Sequence, residues 1–222
     1  MKIFPLINTV ACEGKSIPQP IQMVMLEEKE ISDLLEVAKS QKEKNKHVPG
    51  QYGNGILNGK HSGCRTEYIG LLGEYAFSLV SGEKLISKSC EGGDDGQDFL
   101  LNKYKIDIKT KDCTRNKSNL NKYYFQLCKK YKRTRPEPTL IEPSESHLKS
   151  HAYVFCSLIE ESSTAALVRI DGWVGRTDLV SGFRDRVAPP LTKVKNEIDQ
   201  WFNIYIQPLE LRPLHLLFKS TK

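Results

Sequence analysis

The stretch 97–110 constrains the fold more than any other part of the chain. Two short strand-like runs, 97–101 and 104–110, flank Asn102-Lys103, a spacing that closes as a two-residue β-hairpin, although Lys is less favoured than Gly at the second turn position. With the turn centred there, Asp98 stands across from Asp107, and the two carboxylates share one face with Cβ atoms about 4.5–5.5 Å apart. Strand alternation adds Lys105, Lys109 and Lys111 to the face of Asp107, and turns Tyr104, Ile106, Ile108 and Thr110 toward a core.

Like charges held opposite one another destabilise a sheet unless a cation or a proton neutralises them. Lys109 supplies one positive charge from two residues away. Oxygen ligands converging from two strands also suit a hard cation such as Mg²⁺, which takes one or two carboxylates plus waters. A third carboxylate comes from the preceding segment, where apolar residues at 69, 72, 76, 79 and 80 follow helical spacing, with Thr66 placed to cap the start and Gly82 to end it. Glu74 lies on that helix with Glu67 on the same side, and the small residues Gly70 and Gly73 let the helix approach a sheet closely.

The remaining chain surrounds this centre with elements of both kinds. Residues 1–22 show no clear period and carry Pro5, Pro18 and Pro20, which reads as an irregular arm, while 27–44 reads as an amphipathic helix. Runs at 122–128, 152–158, 165–170 and 205–209 are strand-like, the middle two forming a buried hairpin, and 189–201 has helical spacing. Strands before and after a helix, without regular βαβ alternation, imply a mixed α/β sheet flanked by helices. The expected division is an N-terminal arm and helix over 1–50 and a core over 51–222, with a polar insertion near 129–150.

At 222 residues, with 39% hydrophobic and 27% charged residues, the chain has the composition of one folded domain rather than of a disordered polymer. No run reaches the ~18–20 apolar residues of a bilayer span, and the N-terminal apolar stretch is too short for a signal peptide, so a cytoplasmic location is expected, in a host cell if the source is viral, and no membrane partner. Six scattered cysteines form no CxxC pair and read as reduced thiols. The net charge is +6, and between Lys103 and Arg135 the only acidic residues are Asp107 and Asp112 amid many Lys and Arg. Such a strip attracts phosphate backbones, with Lys129, Lys130, Lys132, Arg133 and Arg135 as contact candidates, though a solvated basic loop would look the same.

Taken in order, Gly73-Glu74 on a helix, then Asp98, then Asp107-Ile108-Lys109 on the next strand resembles the PD-(D/E)xK nuclease superfamily, whose fold is restriction-endonuclease-like. The likeness covers about 65–128, more loosely the later strands, and includes Asp171-Gly172-Trp173-Val174-Gly175 and the closing 208–214 as tails like those of phage and bacterial members. Gln97 stands where many members have proline. The resemblance implies a mixed central sheet and a DNA endonuclease dependent on Mg²⁺, with Mn²⁺ as a substitute. Asp98, Asp107 and the carbonyl of Ile108 would hold metal, Glu74 would bind it directly or through water, and Lys109 would orient or deprotonate the attacking water. Lys111 and Gln126 are candidates for phosphate contact or support, and Glu67 for support. RNA as the polymer, a homodimer, and a non-cleaving binding module on the same fold stay open as alternatives.

Overall fold

The computed structural model describes residues 2–12, 15–45, 64–84, 97–114, 137–141, 148–179, 187–188, 203–206 and 211–220. They form a mixed α/β arrangement. In chain order the elements are β1 (Lys2–Cys12), β2 (Lys15–Glu27), α1 (Glu28–Asn45), α2 (Arg65–Ser81), β3 (Phe99–Leu101), β4 (Tyr104–Asp112), β5 (Glu137–Ile141), β6 (Ala152–Glu161), β7 (Ala165–Gly175), β8 (Val187–Ala188), β9 (Asn203–Ile206) and α3 (Leu214–Ser220). Six strands make one sheet in the order β1-β2-β7-β6-β4-β3, and β5, β9 and β8 make a second of three. Within the large sheet β4 and β6 run parallel and the other neighbours antiparallel.

The 97–110 hairpin closes as its sequence dictates: Leu101 pairs with Tyr104, Leu100 with Lys105 and Phe99 with Ile106. Asn102 and Lys103 both have positive φ (46° and 74°), the backbone that a two-residue turn needs to match strand twist. Asn tolerates that conformation, whereas Lys103 accepts a cost of about 1–2 kcal/mol. Helix α2 ends at Gly82, with φ 75° and its N–H on the Ser78 carbonyl at 2.9 Å. Its start differs from expectation. The cap residue is Cys64, without a side-chain capping bond, and Thr66 lies inside the first turn.

The largest correction concerns the N-terminus. Residues 1–22 are not an irregular arm, because β1 and β2 form a long antiparallel hairpin, and β2 joins the sheet by pairing Gln22–Glu27 with β7. The prolines obscured this in the sequence. Pro18 and Pro20 fall on β2 beyond the last pairing with β7, at Gln22, where no ladder partner among the described residues needs an N–H from them on that side. Helix α1 then packs with α2 in one core, so this segment is built into the same body; the boundary expected at residue 50 lies outside the described residues.

Strand β6 is buried along most of its length, as its near-continuous apolar run requires of a central strand, and it pairs with β7 as the expected hairpin. One face of the large sheet, with Ile106, Ile108, Val154, Cys156, Val168 and Ile170, packs in a core with α1, α2 and α3. The opposite face carries a smaller cluster of Leu148, Tyr153, Phe155, Val174, Leu179 and Leu211. Tyr104 is corrected from core to surface: it is 44% exposed and meets the His151 ring edge-on. The polar insertion over 129–150 contains β5, which pairs with β9, and β9 itself falls two residues earlier than the strand expected at 205–209. The expected strand 122–128 and helix 189–201 lie outside the described residues. No helix among those described is long and apolar enough to cross a membrane.

Candidate active site at the open edge of β4

The β3–β4 ladder stops at Phe99 and Ile106, leaving β4 to run on to Asp112 without a neighbour on that side among the described residues. Asp98 sits at this point. Its N–H donates to the Ile106 carbonyl at 2.8 Å, and its Oδ2 accepts the N–H of Ile108 at 2.6 Å. A side-chain carboxylate thus replaces the next rung of the ladder, and Asp98 is not a ladder partner of Asp107 as the simple register implied. At 2% exposure the carboxylate is fixed in place by this bond, and a hydrogen bond to a charged acceptor contributes about 1.5–3 kcal/mol.

Asp107 occupies the face opposite the helices, level with Tyr153 of β6, and is 5% exposed. Two residues on, Lys109 lies level with Phe155 and brings Nζ to 2.9 Å from Asp107 Oδ2. This pair is not the solvated one that strand alternation alone would suggest. Its acid is buried while about a third of the lysine side chain stays accessible.

Helix α2 reaches β4 through Gly73. A Cβ at that position would fall 1.9 Å from Thr110 Oγ1 and 3.0 Å from Thr110 Cβ, so only glycine lets the helix backbone lie directly on the strand. The adjoining Glu74 is 8% exposed on this helix, whereas Asp107 projects from the face of β4 away from it. Gly70 is less constrained, its nearest neighbour being Glu74 Oε1 at 4.0 Å.

A second anchor lies at the helix N-terminus. Arg65 donates to Asp112 Oδ2 at 3.1 Å and to Glu161 Oε2 at 2.5 Å, tying the start of α2 to the ends of β4 and β6. Burial and the Glu161 carboxylate push the adjacent Tyr68 phenol up to about 12, so it stays neutral beside that cluster. Burial would raise the Asp112 carboxyl, but hydrogen bonds from Thr114 and the Arg65 guanidinium outweigh it and hold Asp112 below the usual range. A depressed acid contributes stability above its unfolded pKa and loses it as pH falls through the folded one. Wild type should therefore outlast Asp112→Asn in denaturant at neutral pH, with the difference closing in acid below the ordinary aspartate range; a difference independent of pH would remove Asp112 from this role.

Cys156, level with Thr110 on β6, reports on the same region. Burial pushes its thiol well up, and the charges of Asp171, Asp98 and Glu74 add to the effect. Asp171 did not stand out in the sequence as a site residue. It lies in a bulge of β7, since Phe155 and Cys156 oppose Gly172 and Ile170 and leave Asp171 as the extra residue. The legible signal was a glycine inside a strand pattern, which marks bulges.

The donor set suits a hard divalent cation: three buried carboxylates and the Ile108 peptide are oxygen donors, with no thiolate or imidazole among them. They do not stand as a finished cage. Among the described residues no three His, Cys, Asp or Glu side chains are grouped closely enough to hold a metal ion. Two of the carboxylates are turned elsewhere, Asp98 to the Ile108 N–H and Asp107 to Lys109. No protein-family model, curated protein or solved structure matches the chain.

Of the other candidates, Glu67 is half-buried in the first turn of α2 and Lys111 is half-buried on β4, level with Ser157. Gln126, Lys129, Lys130, Lys132, Arg133 and Arg135 lie outside the described residues.

Proposed function

We propose that the chain is a divalent-metal-dependent nuclease that hydrolyses DNA phosphodiester bonds, with a sheet elaborated from the restriction-endonuclease-like pattern. The reading rests on one observation: buried Asp98 and Asp107 on a single hairpin, with Lys109 Nζ 2.9 Å from Asp107 and buried Glu74 carried in by a helix seated on the same strand. Burying carboxylates is costly for stability alone, and their order along the chain is that of the PD-(D/E)xK resemblance. A bound Mg²⁺ or Mn²⁺ would supply Lewis acidity and a lowered water pKa. Asp98, Asp107, Glu74 and the Ile108 carbonyl are the residues to hold it. Lys109 would then leave Asp107, orient the attacking water and stabilise charge on the phosphorus centre during in-line displacement.

The pairing of Asp107 with Lys109 favours a second reading, a nucleic-acid-binding module on this scaffold that does not cut, since a salt-bridged carboxylate is a poorer ligand until the lysine moves. An assay on supercoiled plasmid, linear duplex, single-stranded DNA and RNA, with Mg²⁺, Mn²⁺ or EDTA, separates the two. Metal-dependent cleavage of DNA is expected. Cleavage of RNA alone would change the polymer, and retardation of DNA without product under all conditions would leave the binding module.

A further inference from the structure

The face of the sheet that carries Asp107 and Lys109 continues as a polar line across three strands. Lys111 of β4 is level with Ser157 of β6, and Ser157 is level with Arg169 of β7, so all three side chains project from one face. Two strand spacings separate the ends of the line by about 10 Å, some three nucleotide steps of ~3.4 Å along a duplex axis.

Arg169 is held in a particular way. Its Nε donates to Asp171 Oδ1, and Ser157 Oγ, itself 1% exposed, donates to Asp171 Oδ2 at 2.6 Å. Both carboxylate oxygens are thereby used in fixing one guanidinium, whose five N–H donors lie in a rigid plane. The bulge makes this arrangement. It inserts Asp171 before Gly172, whose φ is 144° and whose added Cβ would fall 2.7 Å from the Arg212 carbonyl, so the crossing segment at Arg212 fixes the bulge backbone. Bulges of this sort re-aim side chains and concentrate next to active sites. About a quarter of the Arg169 side chain remains accessible.

We propose that Arg169 contacts a backbone phosphate of the polynucleotide beside the scissile one, with Lys111 contacting another on the same strand, and that Asp171 is a positioning residue for Arg169. The inference rests on the nuclease reading and extends its substrate contact from β4 across the sheet to β7. A planar, pre-oriented guanidinium recognises phosphate bidentately, which a mobile lysine does not.

The test is fluorescence anisotropy with a labelled duplex oligonucleotide of arbitrary sequence, titrated in EDTA over a range of salt, for wild type, Arg169→Ala, Arg169→Lys and Asp171→Asn, each verified as folded by circular dichroism. Arg169→Ala should weaken binding and lower the log–log salt slope by about 1. Arg169→Lys should restore the slope but not the full affinity. Asp171→Asn leaves the Arg169 guanidinium charged but removes the carboxylate that holds it, so affinity should fall even though the protein becomes one unit more positive. In the cleavage assay Arg169→Ala should raise KM and leave kcat in place. Wild-type slope, affinity and KM in Arg169→Ala would overturn this inference alone. Absence of both binding and cleavage in wild type would overturn the nuclease reading along with it.

Discussion

Lys109→Ala is expected to lower metal-dependent cleavage by about 10²–10⁴-fold, the range that one positioned proton-transfer group contributes. The same substitution removes the ammonium 2.9 Å from the buried Asp107, and taking one partner from a buried ion pair costs up to about 3–5 kcal/mol. The two effects respond oppositely to metal. Without it, Lys109→Ala should unfold at lower denaturant than wild type, and Mg²⁺ should stabilise Lys109→Ala more than wild type, because the cation replaces the lost charge beside Asp107. Asp107→Asn should lose cleavage to a similar degree, and Mg²⁺ should stabilise it less than either. Denaturant midpoints with and without Mg²⁺, beside single-turnover rates, check both. Full cleavage in either variant, or a Mg²⁺ response the same in all three proteins, would sink the assignment of Asp107 and Lys109.

What the sequence revealed of this site was local. The hairpin register and its left-handed turn follow from two alternating runs around Asn102-Lys103, because a two-residue connection admits few geometries. The end of α2 was legible from Gly82, since a left-handed cap is the ordinary use of glycine there. What failed depended on partners distant in sequence. The N-terminal hairpin was masked by prolines that lie beyond Gln22, where the pairing of β2 with β7 ends. Tyr104 alternates with core residues yet lies outside, as the first residue of β4 after the turn, with its ring against His151. The sequence pattern pairs Asp98 with Asp107, whereas the Asp98 carboxylate acts as a surrogate rung on the Ile108 N–H, a role that no period encodes. That Asp171 stands in a bulge follows only from the pairing of β6 with β7.

Gly73→Ala is the stability change expected to be largest for its size. A methyl group there has little open direction to take: it would lie 1.9 Å from Thr110 Oγ1, with Thr110 Cβ and Cγ2 at 3.0 and 3.1 Å. Thr110 cannot swing away cheaply, being β-branched and held on a strand that pairs with β6 at that level. The helix itself must rise off the sheet or Thr110 must leave its rotamer, and overpacking of this kind costs about 1–3 kcal/mol, against which the helix propensity of alanine returns about 1 kcal/mol. Lifting α2 also displaces the buried Glu74 relative to β4, so cleavage should fall more steeply than stability. Thr110→Ala removes the offending oxygen and methyl. In the Gly73→Ala/Thr110→Ala protein, both stability and activity should therefore recover beyond the sum of the single changes, and a double-mutant cycle on urea midpoints and initial rates measures that coupling. Additive effects would mean that Gly73 and Thr110 do not set the height of α2 above β4.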